Sequence, residues 1–402
     1  MTNHPILNTA NMSELDLLIA TRRDLHRHPE LGFEERRTAG IVADRLRAAG
    51  WQVQEGVAET GVVGTLRGSR GDGPTLLLRA DMDALPIQEE SSHDFASTIP
   101  GRMHACGHDG HVAIGLAVAE RLARSRDRWR GTVKYVFQPA EEGGGGALRM
   151  IQEGVLEGVD AALGLHLWMD VEAGSIGVVE GPMMAASREF RLTVRGRGGH
   201  GALPHHTADA VAIASQIVVA AQTIISRNTS PLDTAVLTFG SMHAGSGPNV
   251  IADVATLEGT FRAFRSEVIA DLQERLAALA QGIAGAMGAT CDLDLGERPY
   301  PPTVNDPAMV AVVVEAAANF LPAERIRLDQ GVRTMAAEDF SEFAIRVPSC
   351  YFFVGIRDEA AGVIHPHHSP RFDISESAMP LGVDVLEQAA LRFLNRETPR
   401  AD

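Results

Sequence analysis

The stretch Met103-His104-Ala105-Cys106-Gly107-His108-Asp109-Gly110-His111 places one thiol, three imidazoles and a carboxylate within nine positions. Thiolate and imidazole are the ordinary ligands of zinc and its borderline neighbours, and Cys106 and His108 can grip one cation where Gly107 lets the chain turn tightly. Taken singly, each of these residues is more often a packing or surface residue, since unpaired cysteine is commonly buried. Further stretches change that balance. Asp81-Met82-Asp83 follows a strand-like run with a continuous apolar core, where open α/β sheets place their active sites, although an isolated Asp-x-Asp more often only caps a turn. Glu141 and Glu142, followed by four glycines, point to opposite sides of an extended chain but converge in a turn, so that one can bind metal while the other handles protons. His166 lies near the end of the run from Ala161 to Leu167, and His365, His367 and His368 cluster near the close of the sequence.

The elements that must position these groups follow from periodicity. Helical spacing of Leu15, Leu18, Ile19, Arg22 and Leu25 behind Ser13 predicts a first helix to about Pro29, and a second runs from about Glu35 to Ala49. Strand-like runs follow at Trp51 to Val53, Gly61 to Leu66 and Thr75 to Ala80, the last apolar enough for burial on both faces. The cysteine and histidine cluster leads into an apolar helix from Val112 to Ala123, then a strand from Gly131 to Phe137. From about Arg188 the order becomes β-α-β-β-α-β, the pattern of a ferredoxin-like α+β unit, with polar glycine-rich loops at Gly198 to His206 and Gly245 to Ile251. Helices from Pro307 to Phe320 and Glu376 to Asn395, with a strand from Ser349 to Val354, resume the first pattern. The expected architecture is an α/β catalytic domain with a central, mostly parallel sheet, formed by residues 1–187 and 298–402. An α+β lid or dimerisation domain, residues 188–297, interrupts it.

Composition removes several classes of function. At 402 residues the chain is long for one domain, and 45% hydrophobic content, 22% charge and a mean hydropathy of -0.02 describe a globular protein. A formal charge of -16 leaves no basic stripe for nucleic acid. The sequence has no P-loop, and its single lysine, Lys134, lies inside an apolar run, which disfavours Schiff-base chemistry. Neither a signal-like start nor about 18 consecutive apolar residues is seen, and three scattered cysteines make no disulfide framework. The expectation is a cytoplasmic protein with no membrane partner.

Six motifs stand in a characteristic order: Leu25-His26-Arg27-His28-Pro29-Glu30, Asp81-Met82-Asp83-Ala84-Leu85-Pro86, Cys106-Gly107-His108-Asp109-Gly110-His111, Gln138-Pro139-Ala140-Glu141-Glu142-Gly143, Gly199-His200 and His368-Ser369-Pro370. In them the chain resembles the aminoacylase and carboxypeptidase superfamily of metal-dependent amidohydrolases, in the branch of hippurate hydrolases and indole-acetyl-amino-acid hydrolases. The resemblance covers nearly the whole length. It implies metal ligation by Cys106, His108, Glu142, His166 and His368, a general base at Glu141, support from Asp83, and a lid-domain histidine, His200, that reaches the active site of a dimer partner. The chain departs from the His-x-Asp of many members of the wider superfamily by having Asp81-Met82-Asp83, and it brings in Cys106 instead, which shifts preference toward softer ions.

The residue types suit such chemistry by themselves. Two adjacent divalent cations, whether manganese, zinc, cobalt or nickel, can lower the pKa of a water and polarise an amide carbonyl. Glu141 would take the water's proton and return it to the departing amine, and Asn249 and Arg262 are candidates for the product amino acid's carboxylate. The expected activity is hydrolysis of N-acyl amino acids, hippurate-like or related, with a metallo-carboxypeptidase or deacetylase on a small peptide-like or N-acetyl substrate as the alternative. A thiol hydrolase with Cys106 as nucleophile leaves Glu142 and His368 idle, and a non-catalytic dimeric binding protein has no need of Glu141. A homodimer through the inserted domain is the expected assembly.

Overall fold

The computed structural model describes residues 12–296 and 299–396, so the domain boundary expected after residue 297 lies outside the described residues. The polypeptide forms two units, one from residues up to Met183, Val304–Arg333 and Glu342 onward, the other from Met184–Thr303 and Thr334–Ser341.

The first unit starts with a helix fixed by reciprocal capping. Ser13 receives the amide hydrogen of Asp16 and Asp16 receives that of Ser13, which satisfies donors that a helix start otherwise leaves unpaired. This helix, α1 (Glu14–Arg27), is followed by α2 (Arg36–Ala48) and by an antiparallel pair, β1 (Gln52–Val57) and β2 (Gly61–Arg67). Then come β3 (Thr75–Asp81), α3 (His108–Arg124), β4 (Thr132–Gln138), α4 (Gly146–Gln152), β5 (Ala161–Glu172) and the short β6 (Ile176–Gly177). Leu76, Leu77 and Leu78 are fully buried, as a strand covered on both faces requires.

The second unit contains β7 (Ala186–Arg195), β8 (Gly199–His200), α5 (Ala210–Thr223), β9 (Ala235–Ala244), β10 (Val250–Ile251), β11 (Val254–Ala263), α6 (Ser266–Ala286) and β12 (Thr290–Leu295). Four of these strands form an antiparallel sheet in the order β9-β11-β7-β12, and β8 pairs with β10 in a separate ribbon. Sheet order and helix placement are those of a ferredoxin-like unit. The segment Ala210–Asn228 is long and apolar enough to cross a membrane, yet Ala210, Ile213, Ala214, Ile217, Ala221 and Ile224 recur at helical spacing and pack in the core under the sheet. The outer faces of α5 and α6 differ. In α6 the Val268, Ile269, Leu272 and Leu276 stripe turns inward and Glu267, Glu274 and Arg275 face out, whereas no residue from Ala210 to Ser226 carries a charge.

The first unit is completed by α7 (Pro307–Ala317), β13 (Ile326–Arg327), β14 (Ser349–Arg357) and α8 (Met379–Asn395). Its eight-stranded sheet has the order β1-β2-β4-β3-β5-β14-β6-β13, and the run β4-β3-β5-β14 is parallel throughout. Helices α1, α3 and α8 pack together over this sheet. Parallel strands bring their C-terminal ends to one edge, which is where the reactive side chains gather.

Candidate metal centre

The ends of β3 and β4 lie side by side, with Asp81 in register with Gln138. Two residues on, the Asp83 carboxylate accepts the amide hydrogens of Glu141 and Glu142, at 3.0 and 2.9 Å. These bonds hold residues 141–144 in a turn, and in it both glutamates face His108, with the three ligand atoms within 4.8 Å of one another.

Gly107 starts α3 in the left-handed region, φ 89°, which a side chain would resist, and places His108 in the first turn. The helix therefore starts four residues before the expected Val112. His108 donates its Nδ1–H to the carbonyl oxygen of Asp83 at 2.8 Å. A carbonyl can only accept, so the proton is on Nδ1, and Nε2 is left buried without a hydrogen-bond partner. The neighbouring Asp109 is buried between Arg22, at 2.9 Å, and His26, at 2.8 Å, which ties α1 to the start of α3.

His166 is central in β5, which runs on to Glu172 rather than stopping near Leu167 as expected. Its Nδ1–H donates to the Leu167 carbonyl at 2.9 Å, and its Nε2 lies 3.5 Å from the Cys106 Sγ. His368 adopts φ 64°, unusual outside glycine, and is held there by an N–H bond to the Ala105 carbonyl at 2.8 Å. Its Nε2 is 3.1 Å from Glu142 Oε1. Beside it, His367 donates Nε2–H to the Leu167 carbonyl and stacks on Trp168.

The tertiary structure thus brings together Cys106, His108, Glu142, His166 and His368, with Glu141 and Asp83. Cys106 belongs to two donor groups of metal-binding dimensions, one with His108 and His166, the other with Glu142 and His368. The electrostatics suit cations. Burial alone would lower the pKa of His108, but Asp81, Asp83 and Glu142 outweigh it and push the imidazole up to about 10. Burial, reinforced by the surrounding carboxylates, holds the Cys106 thiol well above its ordinary range, whereas burial and the neighbouring histidines keep His166 neutral. A coordinating cation supplies the positive charge that deprotonates such a thiol, and a soft and hard donor set of this kind fits zinc, manganese, cobalt or nickel.

Another group of donors, Asp81, His108 and His111, also falls within metal-binding distances. The Asp81 and His111 atoms are already engaged: Asp81 binds Arg79 and His111, each at 2.5 Å, and His111 Nε2 accepts the Leu167 amide hydrogen at 2.9 Å. Asp81 and His111 therefore orient the strand that carries His166. Sequence reasoning did not assign His111 a role, although it lies in the same motif as His108; Arg79 left no sequence signal of its own.

In the second unit, His200 and Asn249 come together in the β8–β10 ribbon, where the Asn249 carbonyl accepts the Gly201 amide hydrogen at 2.8 Å. Both side chains are exposed, and His200 Nδ1 accepts the Ala202 amide hydrogen. Arg262 lies apart from them on β11, opposite Ser187 and Val236, and half-burial lowers its pKa while Glu189 opposes the shift.

Strand-end turns that aim thiol, imidazole and carboxylate donors at one point, with a second glutamate beside them, define a metal-dependent hydrolase of amide bonds. Residues 77–392 match the model of Peptidase family M20/M25/M40, and the chain belongs to that family. It is 38% identical to Thermostable carboxypeptidase 1 of Saccharolobus solfataricus over 95% of this chain and 96% of that protein. It is 39% identical to an IAA-amino acid hydrolase of Arabidopsis thaliana, over 94% of this chain and 86% of that one. A solved Bacillus subtilis structure, described as a dinuclear metal binding peptidase from the M20 family, superposes with a TM-score of 0.81 at 34% identity, covering 95% of this chain and 98% of that one.

Proposed function

We propose that the protein hydrolyses the amide bond of N-acyl amino acids, releasing a carboxylic acid and a free amino acid, at a centre of two divalent cations. The observation that carries this reading is the pair of donor groups sharing Cys106, with Glu141 beside the second of them at Glu142. Cys106, His108, Glu142, His166 and His368 would hold the cations, which supply an acidified water and a polarised carbonyl. Glu141, buried but not one of the five ligands, would take the proton from that water and deliver it to the amine that leaves. Asp83 fixes the backbone of both glutamates. His200 is assigned to the oxyanion in the site of a second subunit, and Asn249 and Arg262 to the substrate carboxylate. The uncharged outer face of α5, where Val211 and Val219 are exposed, supports a homodimer formed through this unit.

Similarity to an IAA-amino acid hydrolase supports the N-acyl amino acid class, and similarity to a carboxypeptidase supports a second reading, cleavage of a C-terminal residue from short peptides. A thiol mechanism is disfavoured because a nucleophilic cysteine needs a lowered pKa and that of Cys106 is raised. The test is metal analysis together with amino acid release from a panel of N-acyl amino acids and dipeptides, with and without chelator. Two cations per chain and chelator-sensitive hydrolysis of the N-acyl substrates is the expected result. Preference for dipeptides would favour the second reading, and full activity in metal-free protein would overturn both.

A further inference from the structure

The segment from Pro29 to Glu35 has no role in the chemistry derived above, yet its residues are bonded to both strand ends of the centre. The Glu30 carbonyl accepts the Ala84 amide hydrogen at 2.8 Å, next to Asp83, and the Glu30 carboxylate receives the amide hydrogens of Arg37 and Thr38 at 2.8 Å each. Glu35, at the start of α2, is completely buried. One of its oxygens accepts the Ala140 amide hydrogen at 2.9 Å and the other accepts the Thr60 hydroxyl at 2.5 Å.

Ala140 has φ 51°, a left-handed conformation that residues with a Cβ avoid. The next two amides, of Glu141 and Glu142, are those bound by Asp83. Three successive N–H groups therefore end on two buried carboxylates, and the first of them holds the residue whose conformation is strained. The loop has little room to relax elsewhere: a Cβ on Gly32 would come 2.9 Å from that of Ala140, and one on Gly144 would come 2.3 Å from it. Burial pushes the Glu35 carboxyl up to about 7; the Thr60 hydroxyl opposes the rise and the charge of Asp83 adds to it. Retaining a buried carboxyl against that cost points to a function for its acceptor oxygens.

We infer that Glu35 is a positioning residue for hydrolysis, holding Ala140 in its left-handed conformation so that Glu141 and Glu142 take up their working positions together. This rests on the reading of Glu141 as base and Glu142 as metal ligand. Loss of the acceptor leaves the Ala140 amide unpaired and its left-handed conformation unsupported, which displaces the base and a ligand at once while leaving substrate-binding groups of the second unit untouched.

The experiment compares Glu35→Met, which keeps bulk but removes both acceptors, with Glu35→Gln, whose amide oxygen still accepts from Ala140 while its NH2 can donate to Thr60. Glu35→Met should lower kcat about 100-fold with KM held within about threefold. Affinity for zinc, read against a chromogenic chelator without substrate, should fall about tenfold, and Glu35→Gln should recover most of both losses. Adding Ala140→Gly to Glu35→Met should restore kcat about tenfold, because glycine holds a positive φ without an external acceptor. Unchanged kcat and zinc affinity in Glu35→Met, or no rescue by Ala140→Gly, would overturn the inference. Should Glu35→Met not fold, Gly32→Ala presses on the same loop from the other side and should lower kcat at constant KM; wild-type kcat there would overturn it too. Wild-type turnover in Glu141→Ala would sink the underlying functional reading instead, whatever Glu35 does.

Discussion

His108 donates Nδ1–H to the main-chain carbonyl of Asp83 at 2.8 Å, and an Asp83 carboxylate oxygen lies 3.3 Å from the same nitrogen, so one residue sets the tautomer that aims Nε2 into the centre. The Asp83 carboxylate also receives the amides of Glu141 and Glu142. Asp83→Asn should keep the His108 orientation but replace one acceptor with an NH2 that faces an N–H. We expect metal affinity to fall about 10- to 100-fold and kcat with it. Metal titration and kinetics on the same preparation check this, and an unchanged affinity would show that the amide bonds do not set the turn.

Removing the proposed base separates proton transfer from metal binding. Glu141→Gln should reduce kcat by about 100- to 10,000-fold while metal content stays at the wild-type level. Loss of both together would mean that Glu141 is itself a ligand, a role that its proximity to His108 and Glu142 permits.

Metal removal should be visible in stability as well as in rate. A cation that binds only the folded state at a concentration 100-fold above its Kd contributes about 2.7 kcal/mol. Chelator should therefore lower Tm, and re-addition of zinc or manganese should restore it. Cys106→Ser should shrink that difference because the thiol belongs to both donor groups. An equal chelator effect in wild type and Cys106→Ser would remove Cys106 from the centre.

The carboxyl of Glu35 gives stability a pH dependence of known sign. Its folded pKa, about 7, lies above the ordinary value of 4.5, so its contribution is complete below pH 4.5 and is lost as pH rises through 7. Between those limits the unfolded chain ionises while the folded one does not, a loss on the order of 3 kcal/mol by pH 8. Urea midpoints at pH 5 and pH 8 should thus diverge more in wild type than in Glu35→Gln. Equal pH slopes in the two proteins would show that Glu35 is ionised in the fold at pH 5.

The assembly prediction concerns α5. Val219 is 69% exposed on a helix whose outer face has no charge. Val219→Asp should leave the fold of the monomer intact and shift sedimentation from dimer to monomer. A dimer of unchanged affinity would place the interface elsewhere.

Much of the parallel sheet was legible because Thr75 to Ala80 has a continuous apolar core at Leu76, Leu77 and Leu78 and Ala161 to Leu167 is apolar but for His166, as strands covered on both faces require. Element ends were less so. Val112 is the first apolar residue of its helix, but the helix begins at His108, since Gly107 and the main-chain contact to Asp83 set its start. The strand of His166 runs past Leu167 because pairing with β14 continues there. Glu35 was invisible as a site residue: an acidic residue ahead of a helix looks like any solvated helix start.

The sequence by itself determined the donor types, their order along the chain and the order of strands and helices that carries them, since these depend on local composition and periodicity. Only the tertiary structure decided which donors share a centre, which ring nitrogen each histidine leaves open, and that Asp81 and His111 are engaged with each other. Those outcomes depend on hydrogen bonds between residues far apart in the chain, such as Glu35 to Ala140 and His368 to Ala105, and no local pattern encodes such a bond.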